Sequence, residues 1–84
     1  MITVFYFASI REHMGRGEDR LEAAEDLTTV AALIRYLNET DSAFSELIQS
    51  PNQPLIAVNH IFAETSSPIT DGDEVGFFPH MTGG

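Results

Sequence analysis

The stretch Ile2-Thr3-Val4-Phe5-Tyr6-Phe7-Ala8 is rich in β-branched and aromatic residues, and it predicts the first strand of a sheet. Because side chains alternate along a strand, Phe5 and Phe7 point to one face, and the apolar residues around them point to the other. A sheet that helices cover on one side should be polar on its second face. An apolar second face indicates either a second layer of core or a partner interface. We interpret it as an interface, because 84 residues leave little chain for a second layer.

Helical spacing identifies the main helix. Apolar residues recur from Val30 to Leu37 behind the capping pair Thr28-Thr29, and they predict a helix over 30–38. The other predicted elements, in chain order, are a helical turn over 10–14 closed by Gly15, a strand over 19–22, a helical stretch between Asp41 and Pro51, strands over 55–58 and 61–64 joined by a turn at Asn59-His60, a turn over 68–72 and a last strand over 74–78. This order predicts an α+β domain, with a mixed sheet of about four to five strands and one main helix across one face.

The chain is strongly acidic. Its 13 Asp and Glu residues stand against 4 basic residues, all of them arginine, and the formal net charge is −9. Nucleic-acid binding requires basic side chains that displace counterions from phosphates, so we exclude nucleic acid as a partner. An anionic membrane surface is excluded for the same reason. The acidity indicates either plain solubility or steering toward a basic partner surface.

Cysteine usage and the first residues bear on the cellular compartment. The chain has no cysteine, so it forms no disulfide and no thiolate metal site. The apolar start over 2–10 lacks the basic region and the small-residue cleavage site of a signal peptide. It is also too short to span a bilayer. We therefore expect one cytoplasmic domain.

No group of polar residues has the pattern of a catalytic or metal site. The run Asp71-Gly72-Asp73-Glu74 lacks the alternating ligands and the helix pair of an EF-hand, and Asp-Gly before a strand is typical of a turn. His13, His60 and His80 have no mutual spacing that suggests a ligand set. The sequence therefore predicts no metal site, no cofactor bound by this chain and no internal catalytic group.

The sequence ends on Met81-Thr82-Gly83-Gly84. Two glycines form a slender backbone that finishes in the free carboxylate of Gly84, and such an end suits a segment that threads into a narrow site on another protein. A frayed terminus is the simpler interpretation of the dipeptide alone, because termini often carry small, disordered residues. The residues that precede the glycines decide between these interpretations.

The segment Asp71-Gly72-Asp73-Glu74-Val75-Gly76-Phe77-Phe78-Pro79, followed by the Met81-Thr82-Gly83-Gly84 end, resembles the signature of molybdopterin synthase small subunits. The start, Phe5-Tyr6-Phe7-Ala8-Ser9-Ile10-Arg11-Glu12, and the mid-chain Ala57-Val58-Asn59 also match that family in order and spacing. The resemblance covers the full length and implies the β-grasp fold of ubiquitin, with a domain over 1–79 and a flexible tail over 80–84. His80 departs from the family, which often has a second proline there.

The resemblance also implies a chemistry. An ATP-dependent adenylating enzyme would convert the Gly84 carboxylate to an acyl-adenylate. A sulfur donor, such as a persulfide-bearing sulfurtransferase, would then replace AMP and leave a thiocarboxylate. The tail would enter the synthase large subunit, where cyclic pyranopterin monophosphate accepts the sulfur. On this expectation the chain is a non-catalytic, sulfur-donating subunit, the active site belongs to the large subunit, and only the activating enzyme uses ATP.

The same resemblance implies the residues that bind partners. They are Thr82 and Gly83 next to the terminus, Phe7, Phe62 and Phe78 on a hydrophobic interface, and Arg11 paired with an acidic partner residue. A simple surface arginine is an equally good interpretation of Arg11. Two other functions stay open, namely a sulfur carrier for thiamine, a modified nucleoside or another acceptor, and a ubiquitin-like protein modifier. Without lysine the chain cannot form self-linked isopeptide chains, but it can still be joined to other proteins.

Overall fold

Five strands form one mixed sheet, and the helices pack on one of its faces. The computed structural model describes residues 1–51 and 53–80. The elements are β1 (Ile2–Tyr6), α1 (Ala8–Met14), β2 (Glu18–Leu21), α2 (Val30–Thr40), α3 (Ser42–Gln49), β3 (Leu55–Val58), β4 (Ile61–Ala63) and β5 (Glu74–Phe78). The strands lie in the order β2-β1-β5-β3-β4. Strands β1 and β5 are parallel neighbours at the centre, and the other neighbouring pairs are antiparallel. The predicted α+β class and mixed sheet are confirmed.

Side-chain caps begin the two longer helices, as the sequence predicts. The Thr29 hydroxyl oxygen accepts a hydrogen bond from the backbone N–H of Ala32 at 3.1 Å. One carboxylate oxygen of Asp41 accepts from the N–H groups of Ala43 and Phe44, at 2.9 and 3.2 Å. Each cap satisfies N–H groups that have no partner within the first helical turn.

Element boundaries differ from the predicted ones by at most two residues at each end. Helix α1 begins at Ala8, because this residue has a positive φ of 51° and turns the chain directly from β1 into the helix. Helix α2 continues to Thr40, since nothing interrupts it before Asp41 caps α3. With 11 residues α2 is the main helix that the sequence predicts, while α1 and α3 complete the helical layer.

The hydrophobic core lies between this layer and the inner face of the sheet. Phe77 is fully buried at its centre, with its ring 5.3 Å from that of Phe44 on α3 and 6.3 Å from that of Tyr6 on β1. The other buried core residues are Ile2, Val4, Ile10, Met14, Leu27, Val30, Leu33, Leu37, Ile56, Ile69 and Val75. The alternation predicted for β1 is therefore confirmed, because its even-numbered residues are the buried ones.

One arginine fastens the helical layer to the edge of the sheet. Arg16 donates two parallel hydrogen bonds to Asp19 of β2, at 2.8 and 2.7 Å, and a third to Asp41, the residue that caps α3. The Tyr6 hydroxyl donates to the same Asp19 carboxylate at 2.8 Å, and the Arg16 guanidinium lies 5.5 Å from the Tyr6 ring centre. Hydrogen bonds from Arg16 are the main reason that the pKa values of both Asp19 and Asp41 lie below their usual range.

The chain continues past β5 through Pro79 and His80. The predicted tail residues Met81, Thr82, Gly83 and Gly84 lie outside the described residues. The division into a domain over 1–79 and a tail over 80–84 therefore stays a prediction.

The Arg16 cluster should make stability depend on acid pH. Because the folded-state pKa values of Asp19 and Asp41 are depressed, the unfolded chain binds more protons, and stability is lost as pH falls below about 4. We expect Arg16→Leu to lower the free energy of unfolding at pH 7 by about 1–2 kcal/mol. One hydrogen bond to a charged group contributes about 1.5–3 kcal/mol, and we expect less here because solvent screens the partly exposed Arg16 side chain. The difference from the parent should shrink by pH 3, as measured by urea denaturation.

The control is Arg35→Leu, because Arg35 is exposed on α2 and makes no ion pair with any residue that the structure describes. It should leave the pH dependence of unfolding unchanged. Parallel stability curves for the parent and Arg16→Leu from pH 7 to pH 3 would show that the cluster contributes no pH-dependent stability.

Candidate functional site: the phenylalanine face

Four aromatic rings lie together on the side of the sheet that no described helix covers. We call this surface, formed by Phe5, Phe7, Phe62 and Phe78, the phenylalanine face. The rings of Phe7 and Phe78 stack almost in parallel, with centroids 4.4 Å apart. Phe5 lies 6.2 Å from Phe7, and Phe62 meets Phe78 edge-on at 6.4 Å. Phe7 is 39% exposed and Phe62 is 75% exposed, so the structure brings together the three predicted interface phenylalanines and leaves two of them open to solvent.

The pairing of strands explains why these rings meet. Phe78 ends β5 and Phe7 directly follows β1, its parallel neighbour, while Phe62 lies on β4 beyond β3. The backbone N–H of Phe7 donates to the carbonyl of Phe77 at 3.2 Å, and the Phe7 carbonyl accepts from the N–H of Ile10 at 3.0 Å. Phe7 is therefore held on both sides, by β5 and by the first turn of α1.

Gly76 provides the floor on which the central rings lie. In the sheet it is opposite Phe5 on one side and Ala57 on the other. A Cβ atom at Gly76 would lie 3.0 Å from the Phe7 ring and 3.1 Å from the Phe78 ring, closer than ordinary contact. The absence of a side chain lets both rings pack flat against the sheet.

Polar residues border the phenylalanine face at the β3–β4 turn. His60 lies 3.4 Å from Glu74, and both side chains are accessible to solvent. The Asn59 side chain bridges the turn to β5, because it donates to Asp73 and accepts from the N–H of Glu74, both at 3.0 Å. Asp73 accepts in addition from the N–H of Thr70 at 2.8 Å. The hydrogen bond from Asn59 is the main reason that the pKa of Asp73 is lowered. The acidic run at 71–74 thus forms the predicted turn.

Arg11 is exposed on α1 and makes no ion pair with the residues described. Its guanidinium packs near Gly17, where a Cβ atom would lie 3.2 Å from Arg11 Cζ. Its predicted pairing with an acidic partner residue stays a prediction. Thr82, Gly83 and Gly84, the other predicted site residues, fall in the part of the chain that the structure does not describe.

A groove lies where the chain leaves β5. Pro79 and His80 line it together with α1 and α3, whose contributions include His13 and Glu46. His13 Nε2 lies 2.6 Å from the carbonyl oxygen of Ala43 and 3.9 Å from a Glu46 carboxylate oxygen. The His13 ring is thus engaged in holding α1 against α3.

The described residues offer no arrangement for metal binding, since no group of three His, Cys, Asp or Glu side chains converges among them. Within the same part of the chain no polar or charged residue is buried. No helix there is long and apolar enough to cross a membrane. The candidate functional surface of the described domain is the phenylalanine face, because apolar rings are exposed there.

Reasoning from the sequence missed two contributors to this surface. The first is Gly76, against which the rings of Phe7 and Phe78 pack. It lies two residues before Phe78 and therefore on the same side of β5 as Phe78. Ile61, the neighbour of Phe62, is 72% exposed and extends the apolar surface around the edge of the sheet. The adjacent pair Ile61-Phe62 at the start of a short strand after a turn is the signal that would have found it.

Comparison with known proteins places the chain in a family. A family model described as the ThiS family matches residues 4–84. The chain belongs to the ThiS family. The molybdopterin synthase sulfur carrier subunit of Escherichia coli (strain K12) is 39% identical over 84 residues, which is 100% of both chains. The resemblance to molybdopterin synthase small subunits is thereby confirmed for this ThiS-family chain.

Solved structures share its fold. A putative molybdopterin converting factor, subunit 1, from Pyrococcus furiosus superposes with a TM-score of 0.77 at 29% identity, over 95% of this chain and 97% of that one. The small archaeal modifier protein 1 of H. volcanii gives 0.79 at 20% identity, over 95% and 97%. A chain in the complex of subunits 1 and 2 of molybdopterin-converting factor from Helicobacter pylori 26695 gives 0.68 at 19% identity, over 99% and 97%. The last two show the fold alone. The ubiquitin-like β-grasp fold of this ThiS-family chain is confirmed.

Because Phe7 is partly exposed, we expect Phe7→Ala to lower the free energy of unfolding only slightly. Leu33 is fully buried, so Leu33→Ala should lower the free energy of unfolding by about 2–5 kcal/mol. Phe7 is already partly in water, and we expect Phe7→Ala to cost about 1 kcal/mol, below the value for a fully buried side chain. Chemical denaturation of both variants measures the difference. Equal losses would show that Phe7 belongs to the core of the domain.

Proposed function

We propose that this chain is the sulfur carrier subunit of a molybdopterin synthase, with Gly84 as the site that carries sulfur. The similarity to the E. coli sulfur carrier subunit runs over the whole of both chains and supports this assignment. The family match extends to residue 84, so it includes the two terminal glycines. One similarity covers the whole chain and the other covers residues 4–84, so neither is limited to a part of the fold.

The observation that carries the proposal is the position of the phenylalanine face relative to the terminus. Phe78 closes β5, stacks on Phe7 at 4.4 Å, and is followed by only six residues up to Gly84. A partner that covers the face therefore receives the terminus within reach, because six extended residues span about 20 Å. The surface that a partner would bind and the terminal group that it would receive are therefore close together.

The chemistry of Gly84 requires activation before sulfur transfer. A carboxylate is a poor acylating group, since its leaving group would be oxide. An ATP-dependent adenylating enzyme solves this by forming the Gly84 acyl-adenylate with release of pyrophosphate. The outer sulfur of a donor persulfide then displaces AMP to give an acyl disulfide, and a reducing thiol cleaves this disulfide to leave the thiocarboxylate. The thiocarboxylate sulfur is ionised and nucleophilic, in line with the advantage of thiolates over hydroxyls. On the synthase large subunit this sulfur attacks a carbon of cyclic pyranopterin monophosphate and displaces an oxygen substituent. Water then hydrolyses the acyl–sulfur bond, which leaves the sulfur on the precursor and returns Gly84 to a carboxylate.

On this proposal the chain has no catalytic site of its own. The active site then belongs to the large subunit, and the chain acts as a sulfur-bearing co-substrate that is recharged after each transfer. Gly83 and Thr82 lead Gly84 into that site, and a glycine at 83 keeps the backbone slender enough to pass a narrow tunnel.

Two partners share the phenylalanine face in this scheme, the large subunit and the adenylating enzyme. Phe7 and Phe62 are exposed and provide apolar anchors, while the net charge of −9 favours partners with a basic rim around an apolar centre. We propose in addition that Arg11, which is exposed and makes no ion pair with the described residues, pairs with an acidic residue of the large subunit.

A protein modifier is the second candidate function. The superposition on the small archaeal modifier protein 1 at a TM-score of 0.79 favours it only at the level of fold, since the identity is 20%. Intact mass of the chain isolated from cells separates the candidates. A thiocarboxylate replaces one oxygen by sulfur, whereas a modifier is recovered joined to lysines of other proteins. A sulfur carrier for another acceptor shows the same mass change, and molybdopterin formation with the purified large subunit distinguishes it.

We expect a chain extended by one alanine after Gly84 to lose sulfur transfer completely while its thermal unfolding stays unchanged. The reason is that the extension converts the Gly84 carboxyl to a peptide amide, which cannot be adenylated. The new carboxylate lies one residue further along and carries a methyl group beside it. Formation of molybdopterin from the cyclic precursor, in a reconstitution with both partners, is the measurement. Normal product formation from the extended chain, with mass spectrometry showing that it is not trimmed, would contradict the proposed role of Gly84.

The phenylalanine face should supply binding free energy. Truncated interface anchors commonly cost about 2 kcal/mol, so Phe7→Ala should weaken binding to the large subunit by at least about tenfold. Isothermal calorimetry measures this, with Tyr36→Ala as the matched control, because Tyr36 is 42% exposed on α2 and lies away from the face. If the parent and Phe7→Ala bind the large subunit with equal affinity, the phenylalanine face is not part of the interface.

A further inference from the structure

The two edges of the sheet differ in how they are protected. Strand β2 forms one edge, and three of its four residues, Glu18-Asp19-Arg20, are charged. Strand β4 forms the other edge and carries only Ile61, Phe62 and Ala63. Ile61 is 72% and Phe62 is 75% exposed. Proteins usually blunt exposed edges with charges, because an apolar open edge is a template for another strand. β4 lacks this protection.

The backbone of Phe62 faces the open side of β4. The β3–β4 turn has two residues, Asn59 and His60, both with positive φ (50° and 69°), as in the hairpin turns that join adjacent strands. In such a hairpin the flanking residues Val58 and Ile61 exchange hydrogen bonds, and the next pair, Ala57 and Phe62, does not. The N–H and C=O groups of Phe62 therefore point away from β3, and they have no hydrogen-bond partner among the described residues.

Hydrogen bonds at both ends hold β4 in place. At the turn, the N–H of Asn59 donates to the carbonyl of Glu74 at 2.7 Å. After the strand, the N–H of Glu64 donates to the Ser67 hydroxyl at 3.0 Å, and the carbonyl of Thr65 accepts from the N–H of Ala31 on α2 at 2.8 Å. An edge that is already ordered loses little conformational freedom when a strand adds to it.

We propose that β4 accepts an extended apolar strand of the synthase large subunit, which pairs with the backbone of Phe62 and adds a sixth strand to the sheet. This inference rests on the proposed function and assigns the surface that the partner uses. Alternate side chains of the added strand would cover Phe62 on one face and Ile61 on the other. Because Phe62 lies 6.4 Å from Phe78, the added strand continues the phenylalanine face.

The charge of the chain disfavours a second copy as the occupant. Two copies, each with a net charge of −9, repel one another, and a β4–β4 contact would offer only three residues from each side. A partner of less acidic composition meets no such repulsion and can cover the phenylalanine face at the same time.

The test replaces the Phe62 amide by an ester, through incorporation of phenyllactic acid at position 62. This change removes the outward N–H and keeps the phenyl ring. Calorimetry should show binding to the large subunit weakened by about three- to tenfold, the net contribution of one hydrogen bond. The melting temperature should fall less than in the control below, because this ester keeps every N–H that bonds β4 to β3 and only weakens the Ile61 carbonyl as an acceptor. The matched control is the ester at Ile61, whose N–H bonds to Val58. It should lower the melting temperature, and the folded protein should keep its affinity for the large subunit.

Amide exchange in the unmodified chain gives a second readout. The Phe62 N–H should exchange rapidly in the free chain and at least about tenfold more slowly in the complex, because strand pairing protects it. The inference is overturned if the Phe62 ester binds as tightly as the parent, or if the Phe62 amide exchanges equally fast in both states. It is also overturned if sedimentation shows dimers that the ester abolishes while binding to the large subunit is unaffected.

The Phe7→Ala measurement keeps this inference separate from the proposed function. If Phe7→Ala binds the large subunit more weakly while the Phe62 ester binds it normally, the phenylalanine face is part of the interface and no strand adds to β4. Normal binding of both variants would reject docking through this side of the sheet altogether.

Discussion

The parallel pairing of β1 with β5 is the constraint on which the rest of the structure depends. It joins the first and last strands of the domain at the centre of the sheet, with Tyr6 opposite Phe77 and Phe5 opposite Gly76. On the inner side this pairing builds the core around Phe77. On the outer side it places Phe7 against Phe78. A slip of one residue would exchange the two faces, since side chains alternate along each strand. One register thus determines both the core and the phenylalanine face.

Most of the features that the sequence predicts come from patterns among neighbouring residues. The alternation in β1, the caps at Thr29 and Asp41, and the Asn59-His60 turn are local signals, and the structure contains each of them. The outward position of Phe7 followed from alternation alone. Family resemblance then supplied Phe62 and Phe78, which parity in the sequence could not connect to Phe7 because they lie on other strands.

Apart from Ile61, the features that the sequence does not predict depend on pairing between distant segments. Arg16 binds both Asp19 and Asp41, and Asp41 lies 25 residues after Arg16 in the sequence. No periodicity in the sequence links the three. The role of Gly76 depends on the rings of Phe7 and Phe78 lying over it, and one of them comes from the other end of the chain. The open edge at β4 appears only once the strand order is known. Local patterns predict elements, whereas strand order decides which surfaces remain free.

The small extent of the phenylalanine face has a kinetic consequence for a carrier that visits two enzymes. Both proposed partners need the Phe7–Phe78 stack, and a single pair of rings cannot be covered by two proteins at once. Each cycle of charging and delivery must then include a complete dissociation from each partner. The slower of the two off-rates sets an upper limit on turnover, so very high affinity would be a disadvantage. For this reason the exposed rings suit a surface that favours rapid exchange over long residence.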